Sequence, residues 1–214
     1  MPGTLTHGHR SPGNGDGEAI IYFPAGAKLF DLDRPSRRVY LLRTGCVQLA
    51  SGHEAILDQV TPGNFFGEEC LLAPRHGCQV ARALSPVTVS AFGASQLLGR
   101  VQQDRRFARR LLRNLAMQLD RRRATICDFV TEPAERRLAL LLSRLVPARP
   151  LSGWVQLRFS PSNSELARTI GATRWRVSYF LRQFRESGWL ERRPKLWVRR
   201  EGLREFLIST AKRA

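Results

Sequence analysis

One stretch restricts the fold of this chain more than any other: residues 160–198, SPSNSELARTIGATRWRVSYFLRQFRESGWLERRPKLWV. Ser162 followed three residues later by Glu165 forms a capping box, which predicts the start of a helix. Gly171 supplies the left-handed position that closes such a helix, and Thr173 is a candidate N-cap for the next one. Two helices joined by so short a turn predict a helix-turn-helix, whose second helix fits the DNA major groove.

The second predicted helix has an apolar face and an outward face rich in cations and aromatic rings. An arginine near the start of such a helix can contact O6 and N7 of a guanine together. Residues 188–198 then predict a strand–turn–strand wing. The residues predicted to read base edges are Arg174, Trp175, Arg176 and Ser178. The residues predicted to hold DNA phosphates are Thr173, Arg182, Arg193 and Lys195.

The charge of the chain is concentrated in its C-terminal half. Residues 1–99 contain eight Lys/Arg and eight Asp/Glu, whereas residues 100–214 contain 27 and 10. The whole net charge of +17 therefore lies beside the predicted helix-turn-helix. Such an asymmetry indicates a polyanionic partner, here double-stranded DNA.

The N-terminal half has a different texture. Short alternating apolar runs separated by turn signals cover residues 19–93 and predict an all-β jelly roll or barrel. The preceding residues 1–18 are polar and glycine-rich, which predicts a flexible arm. A helix is predicted over residues 94–130, with its periodic part running from about 96 to 130, and a DNA-binding domain over residues 131–214. The fold class is therefore α+β.

The long helix carries apolar residues at alternating spacings of four and three, which is the pattern of a coiled-coil seam. One seam position is Arg122, whose charge would loosen the seam locally. The alternative is a helix packed on its own β domain, and the two roles can belong to different faces. The predicted dimer seam consists of Ala108, Leu112, Leu115, Leu119, Ile126 and Phe129.

Several classes of protein are disfavoured. No run of eighteen apolar residues is present, so no membrane span is predicted. Four scattered cysteines without a CxxC pair, and no secretion signal, predict reduced thiols and a cytoplasmic location. No nucleophile elbow, P-loop or zinc-protease motif is present, so we do not expect an enzyme.

The corner GNFFGEECLL, the long helix and SNSELARTIGATRWRVSYFLRQFRESGWLE together resemble the CRP/FNR family of bacterial transcription regulators, from about residue 20 to 200. The resemblance implies a cyclic-nucleotide-binding-type β roll, a coiled-coil dimerisation helix and a winged helix-turn-helix. It implies a homodimer on a two-fold symmetric operator and an activator, with RNA polymerase as a further expected partner. Arg174 matches the guanine-reading arginine of the family, whereas Trp175 replaces the glutamate of the cyclic-AMP branch. We therefore expect a DNA half-site different from that of the cyclic-AMP branch.

The resemblance also implies an effector pocket, and this chain departs from it. Gly67 and Glu68 are present, but the Arg-Ser pair that clamps the cyclic phosphate falls on Gly77 and Cys78. The helix positions that contact the base are Arg122 and Arg123, where small hydroxyl residues are usual. We therefore expect a degenerate pocket, no cyclic nucleotide, no metal and no other cofactor, as in effector-independent members of the family.

Two alternatives stay open. The first is a regulator of the same fold gated by haem, by thiol oxidation or by a small acid, with His76, Cys78 or Arg122 as the sensing residue. The second is a β-roll module whose basic tail binds nucleic acid or acidic proteins without reading sequence.

Overall fold

A computed structural model of the chain describes residues 9–11, 18–53, 55–72, 79–147, 153–157 and 161–211. The chain forms two compact units, Met1–Arg122 and Arg123–Ala214. The predicted pocket positions Gly77 and Cys78, together with His76, lie outside the described residues, as does most of the predicted arm. Over the described ranges, no helix is both long and apolar enough to cross a membrane.

The first unit is built on two antiparallel sheets, as the alternating runs predict. The five-stranded sheet has the order β1-β2-β9-β4-β7 and the four-stranded sheet the order β3-β8-β5-β6. The strands are β1 His9–Ser11, β2 Ala19–Phe23, β3 Lys28–Phe30, β4 Val39–Thr44, β5 Val47–Ser51, β6 Ile56–Val60, β7 Phe65–Phe66, β8 Gln79–Ala83 and β9 Val87–Phe92. A single 3-10 turn, Glu68–Leu71, follows the corner glycine Gly67.

Strand β4 shows why a helix lies on this roll. Its alternate side chains Tyr40 and Leu42 face the core between the two sheets. The intervening Val39 and Leu41 face a second apolar cluster, which includes Leu97 and residues of the next helix. A strand buried on both faces needs cover on its outer side, and two helices, α1 Ala94–Gln103 and α2 Arg105–Thr131, provide it.

The single helix predicted from about 96 to 130 is wrong at one point. The structure breaks it at Asp104, which has extended backbone angles (φ −120°, ψ 99°). The Asp104 carboxylate accepts hydrogen bonds from the amides of Arg106 (2.9 Å) and Phe107 (3.0 Å). An aspartate that satisfies these amides is an N-cap, so a new helix begins there.

The second unit holds the predicted helix-turn-helix, and its caps are confirmed. The Ser162 hydroxyl accepts from the Glu165 amide (3.1 Å), and the Glu165 carboxylate accepts from the Ser162 amide (2.7 Å). Gly171 has φ 63°, the left-handed geometry that ends the first helix of the motif. The helices are α3 Ala134–Leu145, α4 Asn163–Ile170, α5 Arg174–Glu186 and α6 Arg200–Ala211.

The predicted wing is also present. Strands β11 Leu190–Arg193 and β12 Lys195–Arg199 pair antiparallel around Pro194, and β10 Trp154–Gln156 adds a third strand beside β12. Strand β10 and helix α6 were not predicted. The α6 helix packs Phe206 against Phe184 and Trp189, with ring centroids 5.3 and 5.4 Å apart.

Candidate functional site

The second helix of the motif, α5, buries one face and exposes the other. Its buried side chains, Val177, Phe180, Leu181 and Phe184, are at most 8% exposed. They anchor the helix in the unit, so the opposite face is left for a partner. That exposed face carries Arg174, Trp175, Arg176, Tyr179 and Arg182.

The start of α5 is built to receive an anion. The Thr173 hydroxyl caps the helix by accepting from the Arg176 amide at 3.3 Å, which leaves its own O–H free to donate. The first amides of the helix carry the positive end of the helix dipole. A phosphate beside Thr173 would therefore meet a hydroxyl donor and a positive field.

Two aromatic rings stack on the exposed face of the first two turns of α5. Trp175 is 74% exposed and stacks on Tyr179, with centroids 5.9 Å apart and planes inclined by 12°. The Tyr179 hydroxyl accepts from Gln183 Nε2 at 2.7 Å, which fixes the second ring. Tyr179 was not among the predicted base-reading residues, although its spacing of four from Trp175 was available in the sequence.

Ser178 has a contact inside the motif. Its hydroxyl accepts from Asn163 Nδ2 at 2.8 Å, so it joins α5 to the first turn of α4. The side chain is half-buried, unlike those of Arg174 and Trp175. The structure thus gives Ser178 a positioning contact at a place where the sequence predicts base readout.

The predicted phosphate contacts are exposed, and two have acidic neighbours. Arg182 pairs with Glu186 at 3.0 Å, with both side chains more than 60% exposed. Arg193 in the wing pairs with Glu191, and Lys195 is exposed across the wing turn. Exposed pairs of this kind are weak, so a phosphate can replace the carboxylate at little cost.

An arginine that sequence reasoning missed joins the helix-turn-helix to the end of α2. Arg137 Nε donates to the Ile170 carbonyl at 2.9 Å, and its guanidinium lies 5.0 Å from the centroid of the Phe129 ring. Phe129, a predicted seam residue, also approaches Gly171 closely: a Cβ there would lie 3.0 Å from the ring.

Of the predicted effector-pocket residues, Gly67, Glu68 and Arg122 are described in the first unit, and side chains of α2 reach this region. Arg122 donates to the Glu68 carboxylate at 2.9 Å, and Arg121 lies 3.5 Å from Asp58. Burial raises the pKa of Asp58 although the Arg121 charge opposes the shift. A cavity of about 10 Å³ lies beside Asp58 and Arg121, and neither Glu68 nor Arg122 lines it. That is near the lower limit for one water molecule.

A buried network of amide side chains holds α2 against the β roll beside this small cavity. Asn114, 6% exposed, accepts from the Phe65 amide at 3.1 Å and from Gln118 Nε2 at 2.8 Å. Its Nδ2 donates to Asn64 Oδ1 at 2.7 Å. Gly67 at the adjacent corner has φ 77°, and a Cβ would lie 2.8 Å from the Arg38 carbonyl oxygen. Arg123 is exposed.

The predicted seam residues of α2 divide between two environments. Leu115 packs against the apolar cluster beneath the helices, and Ala108 is half-buried. Leu112, Leu119 and Ile126 are 67%, 50% and 64% exposed. Val130, at 80% exposure, continues the exposed stripe and was not predicted.

Family models match both parts of the chain. The model of the cyclic nucleotide-binding domain matches residues 20–104, and that of the Crp-like helix-turn-helix domain matches residues 136–206. The chain is a member of the CRP/FNR family. It is therefore a DNA-binding transcription regulator of the CRP/FNR type, and the fold predicted from its sequence is confirmed in its β roll, long helix and helix-turn-helix.

Relatives of this CRP/FNR protein include a CRP-like cAMP-activated global transcriptional regulator of Mycobacterium tuberculosis. It is 25% identical over 199 residues, which cover 90% of this chain and 85% of the relative. A transcriptional regulator of the family from Thermus thermophilus has a TM-score of 0.71 and 25% identity, covering 88% of this chain and 97% of the other. FixK2 from Bradyrhizobium japonicum shares the fold, with a TM-score of 0.70, 23% identity and coverages of 88% and 96%.

Proposed function

We propose that this CRP/FNR regulator binds a two-fold symmetric DNA operator as a homodimer, reads it with α5, and activates transcription without a cyclic nucleotide. The observation that carries the last point is the pocket of the β roll. Its glutamate, Glu68, pairs with Arg122 at 2.9 Å, and the neighbouring Arg121 lies 3.5 Å from Asp58. A nucleotide would have to displace two ion pairs and the helix side chains that make them.

Base readout is assigned to the exposed face of α5. Arg174 stands in the first turn, where a guanidinium fork can meet both acceptors of a guanine. The Trp175 ring offers an apolar face, and the matching apolar group in the major groove is the thymine methyl. Arg176 lies on the same exposed side of α5. Because Arg174 suits guanine and Trp175 suits thymine, a half-site with guanine beside thymine fits this face best.

Dimerisation is assigned to the exposed stripe of α2. Leucine and isoleucine side chains left half exposed or more cost free energy in water, which association with a second copy would recover. The exposed apolar residues Leu112, Leu119 and Ile126 recur every seven residues, as in a coiled coil, and the stripe continues at Val130. Two copies joined along this helix would present two α5 helices to the two halves of one operator.

The experiment is a selection of bound duplexes from a randomised DNA library, followed by affinity measurement on the enriched sequence with and without cyclic AMP. The proposal expects a palindromic enriched site and the same affinity in both conditions. Transcription from a promoter that carries this site then tests activation. Equal affinity for the enriched site, random DNA and RNA would instead identify a non-specific module.

Effector gating is the competing function, because the mycobacterial relative is described as cAMP-activated. A gain in operator affinity of about tenfold or more on addition of cyclic AMP would overturn the nucleotide-free proposal. A change in affinity with reductant, or a visible absorption band in purified protein, would identify a thiol or haem sensor. Each of these outcomes leaves the DNA-binding assignment intact.

A further inference from the structure

A second cavity lies in the first unit, away from the effector-type pocket. We propose that it binds a small phosphate monoester. The cleft has a volume of about 240 Å³ and shares none of its lining residues with the pocket under α2. Its lining consists of Glu18, Leu41, Arg43, Phe92, Arg100, Asp104, Arg106, Phe107 and Arg110.

The charges around the cleft do not balance. Four arginines face two carboxylates, so the lining carries a net charge of +2. Asp104 uses its Oδ1 atom to cap α2. In the described part of the chain, no carboxylate lies within ion-pair distance of Arg106 or Arg110, which are one turn apart on that helix. A phosphate monoester dianion would supply the missing charge.

The cleft already holds one anion. Glu18 is only 16% exposed, accepts from Arg43 Nη2 at 2.6 Å and lies 3.9 Å from Arg100. Burial alone would raise the pKa of Glu18, but its hydrogen bonds to Ser90 and Arg43 and the charge of Arg100 lower it overall. The surroundings therefore favour a negative charge even where water is largely excluded.

Three of the four guanidinium groups of the cleft already have contacts within the fold. Arg43 Nε donates to Ser90 Oγ at 2.7 Å, and Arg110 Nη2 donates to the Gly63 carbonyl at 3.1 Å. Arg100 lies 5.5 Å from the centroid of the Phe107 ring. Fixed donors lose less conformational entropy on binding, and guanidinium forks match phosphate oxygens.

The size and floor of the cleft define the rest of the ligand. About 240 Å³ is the volume of roughly eight water molecules, enough for a phosphate group with a small organic body. Leu41 and Phe92, each 3% exposed, and the half-buried Phe107 give the floor an apolar surface. The ligand class is thus a phosphate monoester whose body is compact and partly apolar.

The test is calorimetric titration of the full-length protein with phenyl phosphate, with inorganic phosphate and benzoate as partial probes. Arg106→Gln/Arg110→Gln should weaken phenyl phosphate binding by about tenfold or more, which corresponds to about 1.4 kcal/mol. The matched control is Arg109→Gln/Arg113→Gln. It removes the same charge from the same helix with the same spacing, but neither residue lines the cleft. Binding by the control should stay within about threefold of the unaltered protein.

A third variant makes the result independent of folding defects. Glu18→Gln removes the internal carboxylate and should strengthen phosphate binding, an effect that a damaged protein would not show. Equal weakening in the two double variants would mean general attraction to a basic surface and would overturn the proposal. No saturable binding by the unaltered protein, or unchanged or weaker binding by Glu18→Gln, would overturn it as well.

Discussion

The conversion of Arg174 to lysine separates base reading from simple charge attraction. Lysine keeps the positive charge at the first turn of α5 but lacks the planar fork that meets two guanine acceptors. Arg174 is exposed, so the substitution should change the free energy of unfolding by no more than about 0.5 kcal/mol. Any larger effect on DNA binding then belongs to the interface.

The expected magnitude follows from one lost bidentate contact. Such a contact contributes about 1–3 kcal/mol of discrimination between bases. This range corresponds to a loss of about 5- to 150-fold in operator affinity, since each 1.4 kcal/mol is tenfold. The dependence of affinity on salt should not change, because the number of cations near the phosphates is unchanged.

The assay is fluorescence anisotropy on the selected operator and on its single-base-pair variants at two salt concentrations. Arg174→Lys should lose discrimination at one base pair per half-site and keep it elsewhere. Arg204→Lys, an exposed arginine on α6, is the matched control and should behave as the unaltered protein. A uniform loss on every operator variant would refute base reading by Arg174 and indicate a backbone contact.

Four further predictions test the wing, the dimer stripe, the buried amide network and the Asp58 carboxylate. Arg193→Ala should weaken binding to all operators and lower the slope of log affinity against log salt by about one unit. Leu119→Glu should give a monomer by light scattering, because a charge in an apolar seam is unpaired and desolvated. Asn114→Ala should cost about 1–3 kcal/mol in urea unfolding, since it leaves the amide of the fully buried Phe65 without its acceptor. Asp58→Asn should flatten the pH dependence of stability, because burial raises the folded-state pKa of Asp58. The stability that this group contributes is present below its unfolded-state pKa. It is lost as the pH rises through the folded-state pKa.

The dimer and buried-network predictions each have a control variant. Leu57→Glu alters a leucine 51% exposed on β6, against 50% for Leu119, and should leave the dimer intact. Arg113→Ala, at an exposed position next to Asn114 on α2, should be near neutral in urea unfolding. A dimer that survives Leu119→Glu, an Asn114→Ala cost below about 0.5 kcal/mol, an unchanged salt slope or an unchanged pH profile would each contradict the corresponding assignment.

The helix-turn-helix was predictable because its signals are local. The signals are the Ser162–Glu165 capping box, the left-handed Gly171 and the Thr173 cap, and the structure shows all three. Each signal involves residues no more than three positions apart. The Asp104 cap was equally local but was overlooked, because the apolar spacing of the long helix masked it. Helix α6 carried no comparable start signal, and its place depends on the aromatic contacts of Phe206.

The roles of single residues within these elements were less accessible. Ser178 was predicted to read bases because it can face outward, yet its hydroxyl meets Asn163, fifteen residues earlier. Leu115 fits the heptad spacing but packs against the apolar cluster between α2 and the β roll. A spacing rule identifies the faces of a helix, whereas the neighbours of each face depend on the rest of the chain.

The sequence by itself determined the family, the β roll, the wing and the reading helix, since strand alternation, caps and turn glycines act over a few residues. Together with the family resemblance, it also predicts that Gly77 and Cys78 stand where the family has the Arg-Ser pair of its phosphate clamp. Only the tertiary structure decided the partners of two carboxylates of the β roll. Arg122 donates to Glu68, 54 positions away, and Arg121 pairs with Asp58. The arginine cleft was likewise invisible, because it joins Glu18, β4, β9 and both helices across 92 positions of the chain. Such long-range meetings depend on how buried faces pack together, and no local pattern of residues encodes them.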